Sequence, residues 1–137
     1  MTNPCDDYLE TAKANLGIAR KLRDSKDDVY CGWIIVILFY SAVHSVNALI
    51  RFNGEKIPNI HRDRIDKNGK IIEEGRETLA KRYLGKHNYD SWYRKLENYS
   101  HHERYDPQPQ RGNSVSSDCF ILANQIFKYT QSKIQQK

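Results

Sequence analysis

The sequence predicts an all-α protein, an up-and-down bundle of four or five helices, and three observations predict it. From Trp33 to Ile50 no residue carries a full charge, so one long apolar element stands near the middle of the chain. Four other stretches repeat apolar residues every three to four positions, the period of a helix with one buried face. No stretch alternates apolar and polar residues as a half-buried strand does. Amphipathic helices around an apolar one bury their faces most simply as a helix-on-helix bundle. At 137 residues the chain is read as one domain, residues 1–137, long enough for a proper core.

The central element runs from Val29 to Phe52 and is long enough to be taken for a membrane span. Ser41, His44, Ser45 and Asn47 or Ala48 fall at i, i+3, i+4 and about i+7, a small and polar stripe down one side of a helix. Small residues admit a close neighbour, and polar ones need partners that lipid lacks. The rest of the chain is polar, with a mean hydropathy of −0.80. The central element is therefore read as the buried helix of a soluble bundle, with a single membrane span as the alternative. His44 is expected to be a hydrogen-bonded core residue, paired with Tyr99 or a backbone carbonyl. Lining a cleft is its alternative role.

The first helix is expected from Asp6 or Asp7 to about Asp24, with Tyr8, Leu9, Ala12, Leu16, Ala19 and Leu22 on its apolar face. Asp6 and Asp7 suit its N-terminus, and Arg20, Lys21 and Arg23 its C-terminus, through the helix dipole. Gly17 in its interior costs about 1 kcal/mol against Ala, which close packing by a neighbour would explain. Ser25-Lys26-Asp27-Asp28 reads as a capping box for the central helix, so the first two helices should be antiparallel neighbours. Asn53-Gly54 stops the central helix.

Residues 53–73 are connecting material. Pro58 and Asn68-Gly69 bracket a short basic piece, Ile60 to Lys67, with room for one or two helical turns. A third helix is expected from about Glu73 to Leu84, ended by Gly85 and His87-Asn88. The fourth runs from about Tyr89 to Tyr105. Its stripe is Trp92, Tyr93, Leu96 and Tyr99, with Arg94, Lys95 and Glu97 facing elsewhere. Pro107 and Pro109 mark its end. Ser114 is the expected N-cap of the fifth helix, Val115 to about Ile134, and the tail from Gln131 is expected to fray.

Lys plus Arg number 22 against 17 Asp plus Glu, a net charge of +5. That excess favours a polyanionic partner, nucleotide or RNA. The start, MTNPCDDYLE, lacks the basic region and apolar run of a signal peptide. Cys5, Cys31 and Cys119 are odd in number and far apart, as expected of reduced thiols in a cytoplasmic protein, and Cys31 and Cys119 read as core residues.

The order of several short elements resembles the HEPN domain family (higher eukaryotes and prokaryotes nucleotide-binding), in the form of a small stand-alone prokaryotic member. The elements are Phe39-Tyr40-Ser41-Ala42-Val43-His44, then His61-Arg62-Asp63-Arg64, then Tyr93-x-x-Leu96 and Arg104-Tyr105-Asp106. With a first helix of the kind expected at Tyr8–Leu22, the similarity covers nearly the whole chain. The resemblance implies a four- or five-helix up-and-down bundle, commonly a homodimer. It also implies nucleotide or RNA binding, with many members acting as metal-independent ribonucleases in toxin-antitoxin or defence systems. An antitoxin or a nucleotidyltransferase is the protein partner it implies, and no cofactor. Other members are binding or dimerisation modules without catalysis.

The family's catalytic signature is an Arg followed, after four to six residues, by a His. Arg82 to His87 and Arg94 to His101 both satisfy it. The first crosses the break at Gly85. The second is two helical turns apart on one face. Lys95 follows Arg94 where the family usually places Asn or His. The catalytic candidates are therefore Arg94, His101, His102 and Arg104. A histidine titrates near neutral pH and suits a general acid or base, and an arginine would hold the scissile phosphate. His61, Arg62, Arg64 and Tyr105 are the candidates for nucleic-acid binding. Tyr83, Tyr89, Tyr93, Tyr99 and Tyr105, interleaved with Arg82, Lys86, Arg94, Lys95 and Arg104, could stack bases, or pack in the core instead. His102 and Asp106 have a chelating spacing, and His61 with Asp63 could join them. No further ligand pattern supports a site, so no metal is expected.

Overall fold

A computed structural model describes residues 4–25, 31–105 and 113–135. The elements, in order, are helix α1 (Pro4–Asp24), helix α2 (Cys31–Phe52), strand β1 (Arg64–Ile65), strand β2 (Ile71–Glu73), helix α3 (Arg76–Leu84), a 3₁₀ turn (Gly85–His87), helix α4 (Tyr89–Tyr105) and helix α5 (Asn113–Gln135). The fold is an all-α up-and-down bundle carrying one small hairpin.

The centre is α2, which touches all four other helices and packs most extensively on α1. Fourteen of its 22 residues are buried, more than a surface helix hides, because neighbours wall it on several sides. Ile35, Leu38, Phe39, Ala42, Val46 and Ala48 have no exposed surface. By length and composition α2 could cross a membrane, and so could the core helix of many soluble proteins. Here 72% of its apolar window is buried inside the bundle. The small and polar stripe is packed as expected: Ser41, Ser45 and Asn47 are buried, and Ser41 Oγ donates to the Ala12 carbonyl of α1 at 2.8 Å. The wrapping is incomplete on one side. Trp33 is 66% exposed, with Tyr40 open and Ile37 half-covered on the same face.

Several expectations need correction. Among the described residues no packed neighbour comes within 4 Å of where a Gly17 Cβ would stand, so close packing does not explain it. The piece Ile60 to Lys67 forms no helical turn, and a short antiparallel hairpin pairs β1 with β2. Asn68-Gly69 reverses the chain with Gly69 at φ +82°, and Asp66 Oδ1 accepts from the Asn68 and Lys70 amides at 2.8 and 2.9 Å. Glu73 therefore lies in β2, and α3 starts three residues later, at Arg76. Ser114 lies inside the first turn of α5, not ahead of it. The tail stays helical to Gln135 because Ile134 is buried in the core. The expected stops hold: Gly54 at φ +79° ends α2, and Asn88 at φ 63° ends the 3₁₀ turn. Residues Lys26 to Asp28 of the expected capping box, and Asp106, Pro107 and Pro109, lie outside the described residues.

All three cysteines are buried. His44 is half-buried. Its ring stacks on Tyr8, 6.3 Å between centroids, and its buried Nδ1 finds no partner, so the expected bond to Tyr99 does not form there. Burial, then the Arg76 charge, holds this imidazole below its ordinary value.

Candidate functional site

Two backbone features bring residues 61–63 against α3 and α4. The first turn of α3 has amides without intrahelical partners. The loop supplies the acceptors: Arg76 N donates to the Ile60 carbonyl at 2.9 Å and Glu77 N to the His61 carbonyl at 2.8 Å. Asp63 Oδ1 accepts from Gly75 N at 2.8 Å and Thr78 Oγ at 2.6 Å. These bonds, Thr78 first, hold the Asp63 carboxyl below the usual carboxylate range. Gly75 permits the contact, since a Cβ there would stand 2.4 Å from the Arg62 carbonyl carbon.

Arg76 locks the arrangement from inside. Its buried guanidinium donates from Nε to Asn47 Oδ1 of α2 at 3.0 Å, from Nη2 to the Pro58 carbonyl at 2.9 Å, and from Nη1 to His61 Nδ1 at 3.1 Å. One side chain of α3 thereby holds α2 and the loop at 58–61 together. Each nitrogen of this buried cation thus has an acceptor, as burial of a charge demands.

Beside this node opens a cleft of ≈ 400 Å³ between the loop and α4. Phe39, His61, Arg62, Glu97, Asn98, His101, His102 and Arg104 line it. Five of the eight sequence candidates thus meet in one place. Arg104 is oriented by its Nε donating to the Ser100 carbonyl at 3.3 Å and its Nη1 donating to Tyr40 Oη at 3.2 Å. Tyr105, 67% exposed, covers Arg104 with its ring at 5.3 Å and lies tilted against the His101 ring, 4.8 Å between centroids. It is the one tyrosine of the five-residue set left open: Tyr93 is fully buried, and Tyr83, Tyr89 and Tyr99 pack against the core.

Arg94 is placed elsewhere. It lines a second cleft of ≈ 390 Å³ with Arg62, Asp63, Glu77, Thr78, Lys81 and Asp90, and its Nη2 is 4.0 Å from Asp90 Oδ2. Arg62 lines both clefts, while Arg94 lines only the second and His101 only the first. Arg64 sits on the hairpin, 3.6 Å from Glu73, and lines neither. Arg82 is held by Glu55 and Glu74, and His87 packs on Tyr89 and Tyr129, so the first Arg-to-His pair does not converge. Among the described residues no three His, Cys, Asp or Glu side chains gather as metal ligands.

The sequence reading missed Arg76, Glu97, Phe39 and Asn98. Glu97 was expected to face away, yet its side chain is 14% exposed and lines the cleft. Burial, then the Glu77 charge, pushes its carboxyl above the usual range, against the pull of Arg62, Arg104 and Arg76. Its Oε2 lies 3.9 Å from His61 Nδ1, outside bonding reach, and has no hydrogen-bond partner. His61 is held below its ordinary value by burial, then by Arg76 and Arg104. Both shifts weaken charge pairing in the His61–Glu97 approach, because each disfavours the charged form of its group. A signal for Arg76 was present: Asn47 in the stripe of α2 required a partner.

Chemically, the first cleft offers two cations, imidazoles and a carboxyl raised above its usual range, beside an open aromatic ring. That set can bind a phosphate and move a proton next to it. Comparison with protein-family models, with curated proteins and with solved structures finds no match for this chain.

Proposed function

We propose that this chain is a cytoplasmic HEPN-like bundle that binds nucleotide or RNA in the cleft between residues 61–62 and α4, and that it cleaves RNA there without a metal. The observation that carries this reading is the convergence of His61, Arg62, His101, His102 and Arg104 on one ≈ 400 Å³ cleft. Arg62 and Arg104 take the phosphate. Tyr105 offers a face for a base. One of His101 and His102 removes the proton of the ribose 2′-hydroxyl as its oxygen attacks phosphorus. The other returns a proton to the departing 5′-oxygen, and a 2′,3′-cyclic phosphate remains. Arg94 lies one cleft away and meets a neighbouring phosphate rather than the reacting one. The resemblance adds a toxin-antitoxin or defence setting, with an antitoxin or a nucleotidyltransferase as partner.

The test is single-stranded RNA cleavage in the presence of a chelator, comparing wild type with His101→Ala/His102→Ala. Loss of cleavage with binding retained supports the mechanism, and unchanged cleavage removes it. A second reading, a dimerisation module without catalysis, is favoured by the open face of α2 at Trp33, Ile37 and Tyr40. A stable dimer in light scattering that dissociates on Trp33→Glu, with no affinity for RNA, would favour it.

A further inference from the structure

We propose that Arg76 is a positioning residue that holds His61 as a neutral imidazole with its proton on Nε2, making His61 a hydrogen-bond donor to an anionic oxygen in the cleft and not a base. The ligand half of this rests on the function proposed above. The tautomer half does not.

The argument starts from donor counting. A guanidinium has five N–H groups and no lone pair. The 3.1 Å contact between Arg76 Nη1 and His61 Nδ1 is therefore a hydrogen bond only if Nδ1 accepts. A proton on Nδ1 would set N–H against N–H beside a cation. Arg76 cannot swing aside, because Asn47 Oδ1 and the Pro58 carbonyl hold its other two nitrogens. The charged groups facing His61 are Arg76 and Arg104 on one side of the balance, and Glu77 and Glu97 on the other. Neither carboxylate is within bonding distance of Nδ1, since Glu97 stands at 3.9 Å and Glu77 acts only through its charge.

With Nδ1 committed, Nε2 is the nitrogen left for the cleft that the 43%-exposed His61 side chain lines. Its proton can be shared but not given up, because loss would leave an imidazolate. It cannot take a proton either, because its lone pair is already in the N–H bond. His61 therefore recognises an oxygen bearing negative charge, such as a non-bridging phosphate oxygen. Proton transfer falls to other groups on α4.

The test is long-range ¹H–¹⁵N NMR of the ligand-free full chain from about pH 5.5 to 8. At neutral pH, His61 should show the Nε2–H tautomer with an unprotonated Nδ1. An Nδ1–H, a tautomer mixture or an imidazolium at that pH overturns the proposal. Arg76→Lys keeps the charge but loses the fork, and His61 should then become a mixture of tautomers. If that variant fails to fold, the wild-type spectrum still decides. Binding of a labelled oligoribonucleotide tests the donor role. His61→Gln, whose amide nitrogen can replace Nε2–H, should keep affinity within about threefold, and His61→Phe should lose about tenfold or more. Equal losses in both overturn the donor role. A wild type that binds no oligoribonucleotide overturns the function and the ligand half together, while the spectrum independently decides the tautomer.

Discussion

Gly75→Ala should unfold the approach of the 61–63 loop to α3, although Ala is the better helix former. The backbone of Gly75, at φ −88° and ψ 172°, is open to any residue, so the penalty is purely steric. The new Cβ would meet the Arg62 carbonyl carbon at 2.4 Å, and the Arg62 and His61 carbonyl oxygens at 2.6 Å. Ordinary contact begins near 3.4 Å, so the loop must retreat by about 1 Å. Its partners are main-chain atoms, which cannot rotate away. A retreat of that size breaks the 2.8 and 2.9 Å bonds from Glu77 N and Arg76 N to the loop. Overpacking costs about 1–3 kcal/mol and each lost bond about 1 kcal/mol, against about 0.4–1 kcal/mol regained from a stiffer unfolded chain. The net loss is about 3 kcal/mol, or roughly 10 °C in melting temperature for a chain of this size. Thermal and urea denaturation would measure it. Gly17→Ala is the control: nothing stands within 4 Å, so it should stabilise by about 0.5–1 kcal/mol. Equal, small effects of the two substitutions would refute the steric argument, as would a Gly75→Ala protein whose His61 and Arg62 resonances do not move.

Four further outcomes are expected. Ile35→Ala, at a site with no exposed surface, should cost about 2–5 kcal/mol in urea denaturation, and an unaffected midpoint would mean that α2 is not a bundle core. The lowered values of His44 and His61 mean that the unfolded chain binds more protons than the folded chain as pH falls below about 6.5. Stability is therefore complete above that value and is lost through the lowered values. Asp63 adds a further loss in more acid solution, and a midpoint flat between pH 7 and 5 in a Glu97→Gln protein, where no opposing carboxyl remains, would contradict the histidine assignment. Glu97 has the opposite sign: its raised value costs stability as pH rises through it. Glu97→Gln should thus raise the melting temperature at pH 7 but not at pH 4, and identical shifts at both pH values would count against its burial. Arg62→Glu/Arg104→Glu should abolish RNA binding and flatten its salt dependence, while Arg64→Glu, outside the cleft, should weaken it far less; filter binding at low and high salt separates them.

The helices were legible because their determinants are local. The 3–4 spacing of Leu9, Ala12, Leu16 and Ala19, the uncharged run of α2 and the stops at Asn53-Gly54 and Asn88 each act within a few residues. The hairpin was missed because its pairing involves only Arg64–Ile65 and Ile71–Glu73, too short for alternation to register, although the turn at Asn68-Gly69 was plain. His61, Arg62, His101, His102 and Arg104 are candidates from the sequence, yet nothing in their spacing says that they share a cleft while Arg94, seven residues from His101, faces another.

Composition and periodicity alone determined the all-α class, the identity of the central helix and most of the core. Tertiary structure alone decided that Arg76 reaches Asn47 and His61, 29 and 15 residues away, and that Glu97 turns inward beside them. The reason is physical: helix formation is set by neighbours along the chain, whereas a buried charge takes whichever acceptors the packing of separate elements leaves within 3 Å or so.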